Sequence, residues 1–353
     1  MAAAVQAIRS LQAPASPVAR SQFQRKTLMT ALPRFLAILA AAAMSLPALA
    51  QNFPTKPLHW VVPFAPGGPT DAFSRVVAQK LAEVIGQPVV IENMPGAGAS
   101  LGMDKVSKSA PDGYTIGLAT TGTHAINPHL YKKLPHDTTK DFTPLTLGVR
   151  YANVLVVNPA VPVNSVAELV AYAKANPGKV TFGSAGNGAS NHLSGEVLRF
   201  LTNSPMKHVP YRGSAPALND VIAGNITFMF DVLVTALPQV QAGRVKALAV
   251  TSDQRSPFAP QIPSMVEAGV KGFNEAGSDL WFGIVGPAGI PKPIVAKLNQ
   301  KLIEALRHPD TRQRLSAQGF ELLTSSPEEF AKVIVKDRQN WGKIVKLSGA
   351  SID

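Results

Sequence analysis

Short apolar runs alternate with amphipathic helical segments along most of this 353-residue chain, and this alternation restricts its fold more than any other feature. The run LHWVVPF at residues 58–64 is stopped by the turn residues Pro66-Gly67-Gly68 that follow it. The segment after it repeats apolar residues at helical spacing, with Thr70 or Asp71 as the predicted N-cap. The cycle recurs downstream and closes with two predicted C-terminal helices, over 293–308 and after Ser326. The pattern predicts an α/β fold with largely parallel sheets.

Two apolar runs indicate where the chain passes between domains. The run at 145–159, LTLGVRYANVLVVNP, is longer than its neighbours, as expected of a strand that leads into a second domain. The run LWFGIVGP at 280–287 is expected to bring the chain back. We therefore predict a first domain built from 51–153 and 278–353 and a second domain over 154–277. The chain is long enough to bury two medium-sized cores, so a hinged two-domain layout is expected.

Residues 1–50 have the composition of a secretory signal peptide. They contain basic residues and no acidic ones, and an apolar stretch covers 35–50. The stretch is shorter than a membrane span of about 20 residues and ends in Ala48-Leu49-Ala50, a small-x-small cleavage pattern. A translation start at Met29 would leave a signal of conventional length. The alternatives are a buried helix or an uncleaved anchor. Cleavage predicts an exported protein, periplasmic in a Gram-negative source.

Composition excludes several classes of function. The chain has no cysteine, which rules out disulfides, thiol nucleophiles, cysteine metal sites and the cysteine needed for lipid anchoring. Without the first 50 residues, 29 basic side chains stand against 22 acidic ones, for a net charge of +7. The basic residues are scattered and not interleaved with aromatics, which argues against nucleic-acid binding. A mildly positive field favours anionic ligands.

Three predicted strand-to-helix junctions are rich in glycine and small hydroxyl residues. They are FAPGGPTD at 64–71, TTGTHAINP at 120–128 and GSAGNGASNHL at 183–193. Free backbone N–H groups and the positive end of the helix dipole make such a junction an anion site without any charged side chain. A single junction of this kind is usually only a tight turn. Two of them facing each other would hold a carboxylate between the domains.

Motifs for cofactors and metals are not matched. Gly96, Gly98 and Gly102 are spaced one residue too far apart for a dinucleotide fingerprint. His124, His129 and His136 follow one another at spacings of five and seven residues, which suit no common metal site. We therefore expect neither a cofactor nor a metal.

A hydrolase remains an alternative with little support. Ser184 lacks the first glycine of the nucleophile elbow, and its only candidate base is His192, which is better explained as a structural hydrogen-bonding residue. Asp231 follows the apolar run FMF and is equally well explained as a cap or as a ligand contact.

The junction sequences resemble the Bug/TctC family, the extracytoplasmic receptors of tripartite tricarboxylate transporters. The similar segments include VPFAPGGPTDAFSR, IENMPGAGAS, GSAGNGASNHLSGE, HVPYRGSAPALNDVIAGNITFMFD and WFGIVGPAGIPKPIVAKLN, and they extend over essentially all of the chain after the predicted signal. The resemblance implies a type II periplasmic-binding-protein fold, with two α/β domains joined by two crossing segments around a ligand cleft. It also implies a protein without enzymatic activity that binds a small carboxylate and serves a membrane transporter. We expect the protein to be a monomer. A ligand-sensing receptor is the alternative role.

Nine ligand-binding residues follow from the resemblance. They are Phe64, Gly68, Asp71, Thr121, Thr123, Ser184, Asn187, Ser190 and Asp231. Asp71 and Asp231 are the positions that would meet a ligand ammonium. The chain departs from the family pattern at Ala99 and at Ala189. A hydroxyl residue is common at the position of Ala189, so this departure bears most on the identity of the ligand.

Overall fold

Two β-sheets organise the chain, each covered by helices. The computed structural model describes residues 53–273, 280–348 and 351–352, so the predicted signal peptide at 1–50 and the predicted boundary at 277/278 lie outside the described residues. The strands are β1 (Leu58–Val62), β2 (Val89–Asn93), β3 (Thr115–Thr120), β4 (Phe142–Tyr151), β5 (Asn153–Val157), β6 (Thr181–Ser184), β7 (Lys207–Pro210), β8 (Phe228–Val232), β9 (Lys246–Val250), β10 (Leu280–Pro287) and β11 (Glu321–Leu322). The helices are α1 (Pro69–Ile85), α2 (Ser100–Ser107), α3 (Asn127–Leu130), α4 (Val166–Ala175), α5 (Ser190–Thr202), α6 (Ser214–Ala223), α7 (Leu233–Gln241), α8 (Lys292–Arg307), α9 (Pro309–Ala317) and α10 (Pro327–Ser348).

The first sheet has six strands in the order β11-β4-β10-β3-β1-β2. We call this sheet and its helices the first lobe. Strands β1, β2 and β3 run parallel, whereas β10 is antiparallel to both β3 and β4. Because β3 and β4 both lie antiparallel to β10, the carboxyl ends of β1 to β4 face the same edge.

The second sheet has five strands in the order β7-β6-β8-β5-β9 and forms, with its helices, the second lobe. Strand β6 is parallel to β7 and β8, and β5 is antiparallel to β8 and β9. Only Ala152 separates β4 of one sheet from β5 of the other, and the chain returns between β9 and β10. The carboxyl ends of β6 and β8 therefore point back toward the first lobe, and junctions from both sheets meet.

Each lobe has its own apolar core. Val154, Met229 and Leu233 are among the fully buried residues of the second-lobe core. In the first lobe, Phe282 and Phe320 lie 5.7 Å apart between ring centroids, a spacing at which aromatic rings attract one another beyond their burial.

Some local predictions are confirmed and others are wrong. Ser165 and Ser326 cap α4 and α10 as predicted, each accepting the N–H of a glutamate three residues on. The predicted N-cap of α1 is wrong, since Gly68 caps it and Pro69, whose φ is already helical, occupies the first position.

The sheets are mixed rather than largely parallel, because strands entering from the other lobe run in the opposite direction. Helices α7 and α9 were not predicted from the sequence. Helix α7 contains Pro238, and only two residues of each helix are buried, so neither has a long apolar stripe. Among the described residues, no helix combines the length and apolar character needed to cross a membrane.

Candidate functional site

Junctions from both lobes enclose a cleft, which we call the inner cleft. The first lobe contributes Phe64, Ala65, Gly68, Pro69, Thr70, Thr120 and Phe282. The second lobe contributes Ala185, Ala189, Ser190, Asn191, Ser214 and Val232, and Tyr151 lies where the lobes join. About 430 Å³ of space lies between these atoms, including solvent at the open mouth. None of these described lining residues carries a charge.

Three helices begin at the inner cleft. The first turns of α1, α5 and α6 supply Thr70, Asn191 and Ser214 to its lining. The residues that precede these helices are glycine or alanine, and no side chain caps any of the three. Each first turn therefore retains backbone N–H groups without an intrahelical partner, and each carries the positive end of a helix dipole. The inner cleft can stabilise a negative charge without a cationic side chain.

Asp71 supports the first of these turns from behind. Its carboxylate accepts hydrogen bonds from the Gly67 N–H at 3.0 Å, from Arg75 at 2.9 Å and from the Asn93 amide at 3.1 Å. Burial would raise the pKa of Asp71, but the hydrogen bonds from Arg75, Gly67 and Asn93 outweigh it and hold the pKa below its ordinary value. Asp71 fixes the loop before α1 and does not line the inner cleft.

Removing this carboxylate should destabilise the protein. The variant Asp71→Ala leaves the Gly67 N–H and the Asn93 amide without their acceptor, and we expect it to lower the free energy of unfolding by about 1–3 kcal/mol at pH 7. Urea denaturation measures the change. The control Glu83→Ala removes an exposed carboxylate of the same helix that pairs with Lys80 at the surface, and it should leave stability almost unchanged. Equal losses in both variants would contradict this role of Asp71.

The second junction is held together by its own threonines. The Thr123 hydroxyl accepts the Thr120 N–H at 2.9 Å, and the Thr123 N–H donates to the Thr120 hydroxyl at 3.1 Å. Thr121 accepts the Trp281 N–H at 2.9 Å, which joins the end of β3 to β10. Thr121 and Thr123 therefore shape the junction, and Thr120 is the threonine that lines the cleft.

The third junction rests on a buried polar cluster. The Ser184 hydroxyl lies 2.6 Å from Nε2 of His208, so its partner is not His192, the candidate base of the hydrolase alternative. His192 stacks on His208 with 4.0 Å between ring centroids, and its Nδ1 accepts the Gly188 N–H at 3.1 Å. Burial chiefly lowers the pKa of His192 to about 3, with smaller effects from His208 and Arg199. Ser184 is fully buried, so this cluster stabilises the loop and offers no accessible nucleophile.

A second polar network sets the orientation of the side chains that do face the inner cleft. Asn191 accepts the Ala185 N–H at 3.1 Å and donates to the Ser214 hydroxyl at 3.2 Å, which ties the starts of α5 and α6 together. The Tyr151 hydroxyl lies 3.3 Å from the Ser190 hydroxyl. Tyr151 ends β4, so this contact links the crossing segment to the second-lobe junction.

Asp231 is completely buried in β8 and does not line the inner cleft. Its Oδ2 accepts a short hydrogen bond from Thr235, and its Oδ1 has no hydrogen-bond partner in the described structure. Burial raises the pKa of Asp231 to about 6, against smaller opposing effects of Thr235, Ser214 and the Val232 N–H.

The nine predicted ligand-binding residues thus fall into three groups. Phe64, Gly68 and Ser190 line the inner cleft, while Asn187 lines a neighbouring cleft described below. The others, Asp71, Thr121, Thr123, Ser184 and Asp231, lie behind the walls. The sequence reasoning missed Thr70, Thr120, Tyr151, Asn191, Ser214 and Phe282, although three of these, Thr70, Thr120 and Asn191, lie within the predicted junctions.

The lobes touch closely around the inner cleft. The Ala65 N–H donates to the Arg212 carbonyl at 3.1 Å, and the Tyr131 hydroxyl donates to the Asn187 carbonyl at 3.3 Å. Gly122 approaches the Gly188 carbonyl so closely that a Cβ on Gly122 would lie 2.8 Å from it. The described structure is therefore a closed form. Within the described ranges, no group of histidine, aspartate and glutamate side chains could hold a metal ion.

The sequence model of the tripartite tricarboxylate transporter family receptor matches residues 73–350. The chain belongs to this receptor family. A protein of Pseudomonas sp. strain P51, UPF0065 in the tcbD-tcbE intergenic region, is 37% identical over 88% of this chain and 93% of that protein. Protein BugT of Bordetella pertussis strain Tohama I is 32% identical over 91% of this chain and 99% of its own length.

Solved structures of similar proteins share the architecture of this receptor. The periplasmic binding protein BugD is 35% identical, with a TM-score of 0.81 over 85% of this chain and 99% of its own. Rhodopseudomonas palustris Rpa4515, solved with adipate, is 34% identical with the same TM-score, covering 85% of this chain and 99% of its own. MatC from the same organism, solved with bound malate, is 34% identical with a TM-score of 0.79, covering 83% of this chain and all of its own.

These relationships confirm the predicted family and the periplasmic-binding-protein fold. The chain is a solute-binding receptor rather than an enzyme, which removes the hydrolase alternative.

Proposed function

We propose that this receptor captures a small organic carboxylate in the inner cleft and delivers it to a membrane transporter of the tripartite tricarboxylate type. The convergence of three uncapped helix N-termini on an uncharged cleft carries the proposal, because backbone N–H groups and helix dipoles stabilise carboxylates. The adipate and malate bound to two similar proteins agree with this chemistry.

In this proposal, the carboxylate lies between the starts of α1, α5 and α6. Gly68 lets the main chain approach the ligand, while Thr70, Ser190 and Ser214 offer hydroxyl groups and Phe64 and Phe282 enclose the carbon skeleton. Asp71, Thr121, Thr123 and Ser184 act through the loops that they hold.

Hinge closure is the proposed mechanism. The hinge consists of the β4–β5 crossing and the return before β10. The first domain comprises residues 51–153 and 278–353, and the second comprises residues 154–277. A ligand that contacts both lobes favours the closed form over the open one by its difference in affinity for the two. We further propose that residues 1–50 direct export and are removed, and that the mature receptor is a periplasmic monomer.

A thermal-shift screen of residues 51–353 against organic acids, amino acids and their methyl esters tests the proposed cargo. A ligand at 100 times its dissociation constant should add about 2.7 kcal/mol, enough to raise the melting temperature by several degrees. We expect at least one acid to do so and its methyl ester not to, since the ester removes the negative charge. If an ester stabilises the protein as well as its acid does, carboxylate recognition is wrong.

A further inference from the structure

A second, larger cleft adjoins the inner cleft, and we call it the outer cleft. Its lining includes Pro95, Gly98, Tyr131, Asn187, Tyr211 and Arg212. About 1150 Å³ lies between its atoms, including open solvent. Phe64 and Ala185 line both clefts, so the two share a wall with one residue from each lobe.

The outer cleft is lined by a guanidinium and a side-chain amide that have no partner among the described residues. Arg212 is exposed, and its guanidinium has no hydrogen bond or ion pair with any residue that the structure describes. The Asn187 side-chain amide is half-buried and also has no partner in the described ranges. None of the described lining residues is acidic. A guanidinium and an amide are suited to binding a carboxylate.

Contacts between the lobes hold the main chain at both positions. The Arg212 carbonyl accepts the Ala65 N–H at 3.1 Å, and the Asn187 carbonyl accepts the Tyr131 hydroxyl at 3.3 Å. Both residues belong to the second lobe and line the outer cleft, and these contacts fix their main chain against the first lobe when the lobes are closed. The inner cleft, by contrast, has no charged side chain in its lining. Arg212 therefore places a positive charge in a cleft that adjoins the inner one, where a second anionic group of the same ligand would emerge.

We propose that the outer cleft is a second carboxylate subsite, formed by Arg212 and Asn187, and that the cargo is an elongated dicarboxylate. This proposal rests on the proposed function. One carboxylate binds at the helix N-termini of the inner cleft, the carbon chain passes between Phe64 and Ala185, and the other carboxylate reaches Arg212. The receptor then discriminates dicarboxylates from monocarboxylates through a residue outside the inner cleft.

Calorimetric titration of the mature protein with two matched series tests this subsite. One series runs from succinate through adipate to suberate, and the other contains the monocarboxylates of equal carbon number. We expect Arg212→Gln to weaken binding of the longer dicarboxylates about fivefold to tenfold and to change monocarboxylate binding less than about twofold. Asn187→Ala should produce a smaller loss with the same selectivity. Arg244→Gln removes an exposed charge from the same lobe outside both clefts, and it should leave both series within about twofold.

Three results would overturn the subsite. They are equal effects of Arg212→Gln and Arg244→Gln, an equal loss for hexanoate and adipate in Arg212→Gln, and two dicarboxylates bound per chain. In each of these cases organic acids still bind, so the result would contradict the second subsite but not the proposed function. If no acid of either series binds the unmodified receptor, both proposals fail.

Discussion

Acid is expected to unfold this receptor through buried histidines. Burial lowers the pKa of His124 and His192 to about 3 and that of His208 to about 4, with smaller effects of neighbouring histidines on His124 and His192. The unfolded chain binds protons at these residues near pH 6.5, whereas the folded protein does not. The stability that the three neutral histidines maintain is therefore complete above about pH 6.5 and is lost as the pH falls toward 4.

Asp231 opposes this trend in part. Its pKa is raised to about 6 in the folded protein, so between its ordinary value of 3.8 and pH 6 the folded state binds the additional proton and gains stability on acidification. Acidification destabilises the folded protein through three histidines and stabilises it through one aspartate. The free energy of unfolding should therefore fall by a net amount of roughly 2–4 kcal/mol per pH unit between about pH 6 and pH 4. For a chain of this size, the melting temperature should fall by roughly 10 °C from pH 7 to pH 5.

Thermal denaturation of the unliganded protein from pH 7.5 to pH 4 measures the loss. His192→Gln should reduce the dependence of the free energy of unfolding on pH by the contribution of about one proton. The substitution also weakens the contact to the Gly188 N–H at every pH. His129→Gln, which replaces an exposed histidine, is the matched control for the substitution itself. A melting temperature that stays constant from pH 7 to pH 4.5 would show that these histidines do not control stability.

Blocking closure is expected to abolish most of the binding while the fold stays intact. In Gly122→Ala, the added methyl would lie 2.8 Å from the Gly188 carbonyl oxygen and 3.3 Å from Cα of Ala189, both main-chain atoms of the second lobe. Gly122 lies in a helical turn over Gly122–Ile126 and its φ is not positive, so alanine suits its backbone. The second-lobe loop must move away, and we expect carboxylate affinity to fall at least about tenfold.

Two readouts separate this effect from misfolding. The melting temperature without ligand should stay the same or rise slightly, because alanine is favoured over glycine in a helical turn by about 0.5–1 kcal/mol. Small-angle scattering should show a smaller radius of gyration on ligand addition for the unmodified protein and no change for Gly122→Ala. Unchanged affinity in the variant would mean that the tight contact between Gly122 and Gly188 is not needed for binding.

Much of the fold follows from local sequence signals. The periodicity of α1 and the capping boxes at Ser165 and Ser326 depend only on nearby residues, so the sequence predicts them. The direction of β10 cannot be predicted from nearby residues, because the path of the chain orients a strand that returns from another lobe. Helix α9 was missed for a related reason, as a nine-residue helix with two buried residues gains stability from its neighbours rather than from its own pattern.

The site was predictable as a set of junctions but not residue by residue. A short polar side chain in a strand-to-helix junction can face a ligand or hold its own loop, and composition does not distinguish the two. Thr120 lines the inner cleft, whereas Thr121 and Thr123 hold the junction. Tyr151 and Phe282 come from a crossing strand and a returning strand, so only the tertiary arrangement places them beside the junctions.

A crystal structure of the receptor with the most stabilising acid from the thermal-shift screen tests the central claim most directly. We predict that one ligand carboxylate lies in the inner cleft, within hydrogen-bonding distance of first-turn groups from both lobes, near Thr70 on one side and Ser190 or Ser214 on the other. A ligand bound outside this cleft, or a carboxylate that contacts only one lobe, would contradict the account.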